Sequence, residues 1–258
     1  MFNISVVIPC YNSSNTIIKA LDSIFAQEFT VNEIIIIDDG STDNTVALVT
    51  AYIKNSTFKN FKFLEQENAG PSSARNKGIK ICESEWIAFL DSDDEWTSDK
   101  LKIQLQYLKL NPNISLIGGG HEKTFFNKNI YKKEINLKLL CFKNFFETPT
   151  VMVKREVCLK FLFDESMKFS EDYNLWLNIT SEYKALYVNK VLSKSILKKR
   201  SYGDSGLSKN IFLMEKGELK AIKNQQTKGN ISIFLYLIAS CISILKFIKR
   251  FLITKIKS

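Results

Sequence analysis

Short unbroken apolar runs alternate along the first hundred residues with longer segments in which apolar positions recur every three or four residues. The runs are Ile4 to Ile8, Ile34 to Ile37, Phe61 to Leu64 and Ile87 to Leu90, rich in β-branched and aromatic residues. Such continuity predicts strands buried on both faces rather than strands with one wet side. Between the runs, Ile17, Ile18, Leu21, Ile24 and Phe25 share one side of a helix, Val46, Leu48 and Val49 mark a second, and Ala74, Ile79 and Ile81 a third. Three β-then-α units in succession predict an α/β fold: a mostly parallel sheet, helices on both faces, right-handed crossovers. Leu101 to Leu110 then reads as a helix, Ser115 to Gly118 and Thr150 to Val153 as strands, Glu171 to Ile179 as a helix, and Leu186 to Leu197 as one or two further strands. Residues 120–147 mix Phe, Lys and Asn without a decisive period.

Polar residues collect where the apolar runs stop. Pro9 to Asn12, Asp38 to Ser41, Asn68 to Asn76 and Asp91 to Asp94 each follow a strand, and ligands of parallel sheets bind beyond the carboxyl ends of the strands. The densest cluster, Asp91-Ser92-Asp93-Asp94, sets three carboxylates within four residues. Carboxylates this close repel, and a hard oxygen-seeking cation such as Mg²⁺ or Mn²⁺ relieves the repulsion. A solvated turn capping the next helix through Asp94 or Ser98 is the competing reading. Four functional-looking strand ends on one side of a sheet favour the first.

Charge changes the picture at one point. The 258 residues carry a formal net charge of +9, but residues 207–258 hold ten Lys or Arg against two Glu, so eight of those charges sit in the tail. The first 206 residues are near neutral, with no basic stripe for a phosphate backbone, which argues against nucleic acid as a partner. Five scattered cysteines, Cys10, Cys82, Cys141, Cys158 and Cys241, lack metal-ligand spacing or a disulfide framework and predict reduced thiols in a cytoplasmic protein. The N-terminal residues have no basic segment followed by a long apolar one, so no secretory signal is expected. The shift in composition near residue 207 predicts a boundary: a globular domain over 1–206 and a basic, apolar helical tail over 207–258.

Four segments taken together, DDGSTD at Asp38–Asp43, ENAGPSSARNKG at Glu67–Gly78, FLDSDD at Phe89–Asp94 and EDYNLW at Glu171–Trp176, resemble glycosyltransferase family 2 in content and order. The resemblance spans residue 4 to about 208. It implies the GT-A (Rossmann-like) fold and an inverting, metal-dependent transfer of a sugar from a nucleotide donor. Asp93 is then the direct ligand of Mg²⁺ or Mn²⁺. Asp91 joins through water or holds the ribose or sugar hydroxyls. Asp172 is the general base that takes the acceptor hydroxyl's proton, with Glu171 positioning. Asp38 and Asp39 can accept the imide N–H of uracil, with Pro9 and Tyr11 flanking the base, although either carboxylate could instead cap the helix after Gly40. Gly70 and Pro71 shape the turn before Ser72, Asn68 and Gly70 are expected among the substrate-binding residues, and Arg75 and Asn76 either face the nucleotide or brace the Asp91 loop; the resemblance favours Arg75 in the nucleotide site. Lys198-Lys199-Arg200 occupies the place of a basic segment that closes over the diphosphate, but Tyr202 stands where many members carry His. Ser170 as a simple helix cap is the bland alternative for the Glu171–Asp172 pair. The lone His121 follows three glycines, and a surface or acceptor-groove position fits it as well as a catalytic one.

A non-catalytic scaffold with a decayed domain would have lost the metal Asp or the base, and both are present. A sugar-1-phosphate nucleotidyltransferase expects a Gly-rich basic loop after the first strand, where this chain has Pro9-Cys10-Tyr11-Asn12. A processive synthase needs several membrane spans and a Gln-x-x-Arg-Trp motif. The expected donor is UDP-linked and the expected acceptor an oligosaccharide or lipid-linked glycan of bacterial surface polysaccharide or lipooligosaccharide synthesis. Ile231 to Leu245 is apolar or small throughout, and Lys246, Lys249, Arg250, Lys255 and Lys257 then interleave with apolar residues. Fifteen residues fall short of the roughly 20 that span a bilayer, so the tail is expected to lie on an anionic membrane surface, on the inner face of the cytoplasmic membrane, or to pack on the domain.

Overall fold

The computed structural model describes residues 2–122, 132–197 and 210–256. In chain order the elements are β1 (Ile4–Cys10), α1 (Ile17–Phe25), β2 (Glu33–Asp38), α2 (Thr45–Asn55), β3 (Phe61–Glu65), α3 (Pro71–Ile81), β4 (Trp86–Phe89), β5 (Asp94–Trp96), α4 (Lys100–Leu110) and β6 (Ile114–His121). There follow β7 (Lys132–Ile135), α5 (Leu137–Phe142), a 3₁₀ turn at Thr148–Thr150, β8 (Met152–Lys154), α6 (Arg155–Phe161), α7 (Glu171–Thr180), β9 (Lys184–Ser195), α8 (Ile211–Thr227) and α9 (Ile233–Ile256).

The strands form one sheet in the order β3-β2-β1-β4-β8-β6-β9-β5, with β7 also pairing on β9. β3, β2, β1 and β4 run parallel, as do β6 and β9. β8 lies antiparallel between β4 and β6. The apolar runs are continuous because both faces of the sheet are covered: Val6, Ile8, Ile34 and Ile36 pack with Leu21 of α1, Val49 of α2 and Leu105 of α4. Their neighbours Val7, Ile35 and Ile37 point the other way, into a core with Ile79 of α3, Leu140 of α5, Val157 of α6 and Trp176 of α7. This is the α/β, GT-A architecture expected from the sequence.

Residues 120–147, which carry no decisive period, resolve into the end of β6, β7 and α5 where described. The caps that compete as readings of Asp94, Ser98 and Ser170 do not form. Thr16, Asp99 and Ser170 are the N-cap residues of α1, α4 and α7, and none of them makes a side-chain cap bond. Asp94 belongs to β5, paired with Ser195 of β9, rather than to the start of α4.

The two tail helices are docked. Ala221 and Ile222 of α8 and Ala239 of α9 are buried in the same cluster as Trp176. Gln225 Nε2 and Lys228 Nζ donate to Asn178 Oδ1 of α7, each at 2.8 Å. On α9, Arg250 pairs with Glu215 at 2.8 Å and Glu218 at 3.3 Å, and Lys246 donates to the Phe142 carbonyl. The expected outward basic face is therefore partly turned inward. The face left outward is mostly apolar: Ile233, Phe234, Leu237, Ile238, Ile244, Leu245, Ile248 and Leu252 are all exposed, Phe234 at 71% and Leu245 at 65%, with Lys249 exposed among them.

Candidate active site

The loops after β1, β2, β3 and β4 are laced together by short polar side chains. Asn12, in the left-handed region at φ 47°, accepts from the Thr42 amide at 2.8 Å, and its own amide donates to Ser41 Oγ at 2.9 Å. Ser13 Oγ lies 2.7 Å from Ser92 Oγ, joining the first loop to the acidic turn. Tyr11 projects from this lacing half-exposed, beside Pro9 buried at the end of β1.

Asp38 and Asp39 are both buried. Asp38 accepts from the amide and hydroxyl of Ser41, at 2.9 and 2.5 Å, an Asx-type turn. Neither carboxylate caps α2: its N-cap residue is Asn44, which makes no side-chain cap bond, and Asp43 just before it accepts from the Thr45 amide at 2.9 Å. Asp39 accepts from Gln66 Nε2, the Ala69 amide and the Gly70 amide at 2.8 to 2.9 Å, while Asn68 Nδ2 donates to its carbonyl at 2.9 Å. Three donors on a carboxylate with about four lone-pair sites leave it room for one more. The tight turn needs Gly40 at φ 76°, since a Cβ there would come within 2.9 Å of the Asn68 amide nitrogen.

Arg75 reaches two acidic segments at once. Its Nη2 pairs with Asp91 Oδ1 at 2.7 Å and its Nη1 with Glu171 Oε1 at 3.4 Å, and its guanidinium lies 5.3 Å over the Phe163 ring. It is a buried brace between the acidic turn after β4 and the start of α7. Asn76 is likewise structural, donating to the Phe163 carbonyl at 2.9 Å and accepting from its amide at 2.8 Å. Ser170 adopts the left-handed conformation and donates to the Met214 carbonyl of α8 at 3.1 Å. Its side chain is thereby committed elsewhere, and the acids at the positive end of α7 stand without it. Burial raises the Glu171 carboxyl, which Arg75 opposes. Burial, with the neighbouring Glu171 charge, raises Asp172. Asp172 Oδ2 is 3.4 Å from Thr148 Oγ1. A carboxylate held above its ordinary range is suited to take a proton from a hydroxyl.

Asp91 is partly exposed and Asp93 exposed. No group of three or more His, Cys, Asp or Glu among the described residues could by itself hold a metal ion. One or two carboxylates completed by substrate phosphates is, however, the usual set for Mg²⁺ at a nucleotide site, so Asp93 and Asp91 fit that cation. Asp94 turns away from it. Its Oδ1 lies 3.3 Å from His121 Nε2, and burial pushes its carboxyl up to about 6, against the influence of His121. Arg200 lies outside the described residues. Thr148 was not singled out by sequence as part of this site, and His121, for which a surface position was one reading, is buried; the Gly118-Gly119-Gly120 run before it, which admits close neighbours such as Phe146 and Leu192, was the available signal.

Residues 5–167 match the family described as Glycosyl transferase family 2. An uncharacterized glycosyltransferase of Rickettsia felis is 35% identical over 204 residues, 74% of this chain and 32% of that protein. The chain thus spans about a third of that relative's length. The Escherichia coli protein WfgD, a UDP-Glc:alpha-D-GlcNAc-diphosphoundecaprenol beta-1,3-glucosyltransferase, is 31% identical over 214 residues, 81% of each chain. Among solved structures, the mannosyltransferase PcManGT from Pyrobaculum calidifontis, in complex with GDP-Man and Mn²⁺, superposes with a TM-score of 0.71 at 17% identity, over 95% of this chain and 73% of that one.

Proposed function

Because the chain belongs to glycosyltransferase family 2, we propose that it is an inverting transferase that moves a single sugar from a UDP-linked donor to a hydroxyl of an oligosaccharide or lipid-linked glycan in bacterial surface polysaccharide or lipooligosaccharide synthesis. The observation that carries this reading is the Arg75 bridge, which joins the acidic turn at Asp91 to the Glu171–Asp172 helix start. Leaving-group and attacking-group machinery then lie side by side. Asp172 takes the acceptor's proton as its oxygen bonds to the anomeric carbon, and the bond to the diphosphate breaks on the opposite side. Glu171, held by Arg75, orients the helix start that presents Asp172. Asp93, with Asp91, would hold a Mg²⁺ or Mn²⁺ whose chemistry is to offset charge on the departing diphosphate. Asp39 receives the uracil imide on its remaining acceptor site, Asp38 shapes that loop, and Pro9 and Tyr11 flank the base. Asn68 and Gly70 keep the loop in register, and Arg200 is the proposed partner of the phosphates. The UDP-Glc and diphosphoundecaprenol in the WfgD name and the Mn²⁺ bound to PcManGT support the donor, acceptor and metal classes.

Residues 1–206 carry this chemistry in the proposal, and residues 207–258 hold it on an anionic membrane surface at the inner face of the cytoplasmic membrane. No described helix is long and apolar enough to cross a membrane. The outward apolar row of α9, a helix without a single acidic residue, supports contact with the interface of a bilayer.

The test is a screen of nucleotide sugars read by released nucleoside diphosphate, with Mg²⁺ or Mn²⁺ and with excess EDTA, on wild type and Asp93→Ala. Metal-dependent release lost in the variant is expected. Full release in EDTA contradicts the metal role, and binding of donors without any turnover would favour a scaffold instead.

A further inference from the structure

We propose that His121 is a positioning residue for transfer, the strut that fixes the separation of the acidic turn from the base. The inference rests on the functional reading above. His121 ends β6 and is 3% exposed. Its two ring nitrogens address two carboxylates on different segments: Nε2 is 3.3 Å from Asp94 Oδ1, and Nδ1 is 3.7 Å from Glu147 Oε2. Asp94 closes the acidic turn, its amide donating to the Asp91 carbonyl at 3.0 Å. Glu147 immediately precedes Thr148, whose hydroxyl reaches Asp172 Oδ2. One imidazole therefore lies between the turn that faces the leaving group and the turn that touches the base.

A second tie runs beside it. Trp96 Nε1, two residues past Asp94, donates to the Pro149 carbonyl at 2.8 Å. The backbone reinforces the arrangement, because His121 pairs with Ser193 and Asp94 with Ser195 on the same strand, β9. Arg75 joins the acidic turn to α7 from one side, through Asp91 and Glu171; His121 joins it from the other, through Asp94, Glu147 and Thr148. In a single displacement the attacking and leaving groups must line up across the anomeric carbon, and a misplacement of about 1 Å can cost on the order of 100-fold in rate. A ring with nitrogens on opposite sides suits such a strut, since it can meet both carboxylates at once.

The experiment compares the full chain with His121→Ala and His121→Asn, using whichever nucleotide sugar the wild type turns over, and follows two reactions of that donor: transfer to α-D-GlcNAc-diphosphoundecaprenol and slow hydrolysis to water. Hydrolysis needs the leaving-group side but not alignment with a glycan hydroxyl. His121→Ala is expected to lower kcat for transfer by about 10- to 100-fold, with donor KM and hydrolysis nearly unchanged, and His121→Asn, which keeps a donor toward Asp94, to recover part of the loss. Thermal melts guard against misfolding. Transfer and hydrolysis falling by the same factor, no effect of either variant, or no recovery in His121→Asn overturns the positioning role while leaving the functional reading intact. A wild type that turns over donor but transfers nothing to this lipid-linked probe, or that turns over no nucleotide sugar, overturns the assigned acceptor or the functional reading, and this proposal falls with either.

Discussion

Asp172 shows what burial does to a single group. Its carboxyl is raised above the ordinary Asp range by burial and by Glu171 beside it, so transfer should climb with pH as that proton leaves, along a limb displaced upward from a free aspartate near 3.9. The same shift acts on stability. A carboxyl whose folded pKa lies above its unfolded value contributes stability that is present below the unfolded value and lost as pH rises through the folded one. Asp172→Asn, neutral at every pH and nearly the same shape, should therefore abolish transfer, match the wild-type melting temperature near pH 4 and exceed it above neutrality. A variant that melts below wild type at alkaline pH would contradict the assignment. Arg75 presents the opposite case, a buried cation that satisfies Asp91 and Glu171. Arg75→Met should cost roughly 3–5 kcal/mol in urea unfolding at neutral pH, because two carboxylates lose their partner; a loss below about 1 kcal/mol would show that the bridge is not holding them. Both acids and the arginine stand out in the sequence by motif. Lys100 does not: it opens α4 fully buried, donating to Gln104 at 2.7 Å and lying 4.2 Å over the Trp96 ring, and nothing local separates it from the exposed lysines of the same helix.

Among elements, legibility follows how strongly local pattern and tertiary environment agree. β1, β2 and β4 announce themselves because both their faces are buried, and α1 because its apolar positions keep one side. β5, three residues long, and β7, four residues reading Lys-Lys-Glu-Ile, have too few apolar positions to show a period; their pairing on β9 decides them. Helix starts are hidden for a related reason, since Ser13 before α1 bonds to the acidic turn at Ser92 and Ser170 before α7 bonds to the Met214 carbonyl of α8 instead of to its own first turn. The close approach of α8 to the loop before α7 was equally hidden. A Cβ on Gly217 would lie 2.4 Å from the Phe169 carbonyl oxygen, so Gly217→Ala must push α8 away from Ser170 and the helix start carrying Glu171 and Asp172. Overpacking of this kind typically costs about 1–3 kcal/mol. A lower melting temperature with reduced kcat is expected, and an unchanged melt would mean that α8 is not seated there.

At the scale of the whole molecule the tail combines two readings that the sequence set against each other. It packs on the domain through Gln225, Lys246 and Ala239, Arg250 tying α9 to α8 within it, and it presents an apolar row to the outside. Spacing along α9 could not tell which side would be which, because the partners that draw the basic residues inward, Glu215 and Glu218, lie on α8. In the proposed membrane contact, attraction of about 1 kcal/mol per basic residue to acidic lipid would be correspondingly smaller than five free cations would give, and apolar insertion would carry more of it. Phe234→Glu combined with Leu245→Glu should release the protein from anionic vesicles while preserving donor hydrolysis and the melting temperature. Undiminished co-sedimentation would remove α9 from the membrane. The proposed transfer is one displacement at one carbon, with Asp172 on one side and the diphosphate on the other. Its most direct measurement is the anomeric configuration of the product formed from an α-linked UDP-sugar, read from the proton coupling at the new glycosidic bond. A β-linked product is predicted, and an α-linked product would contradict it.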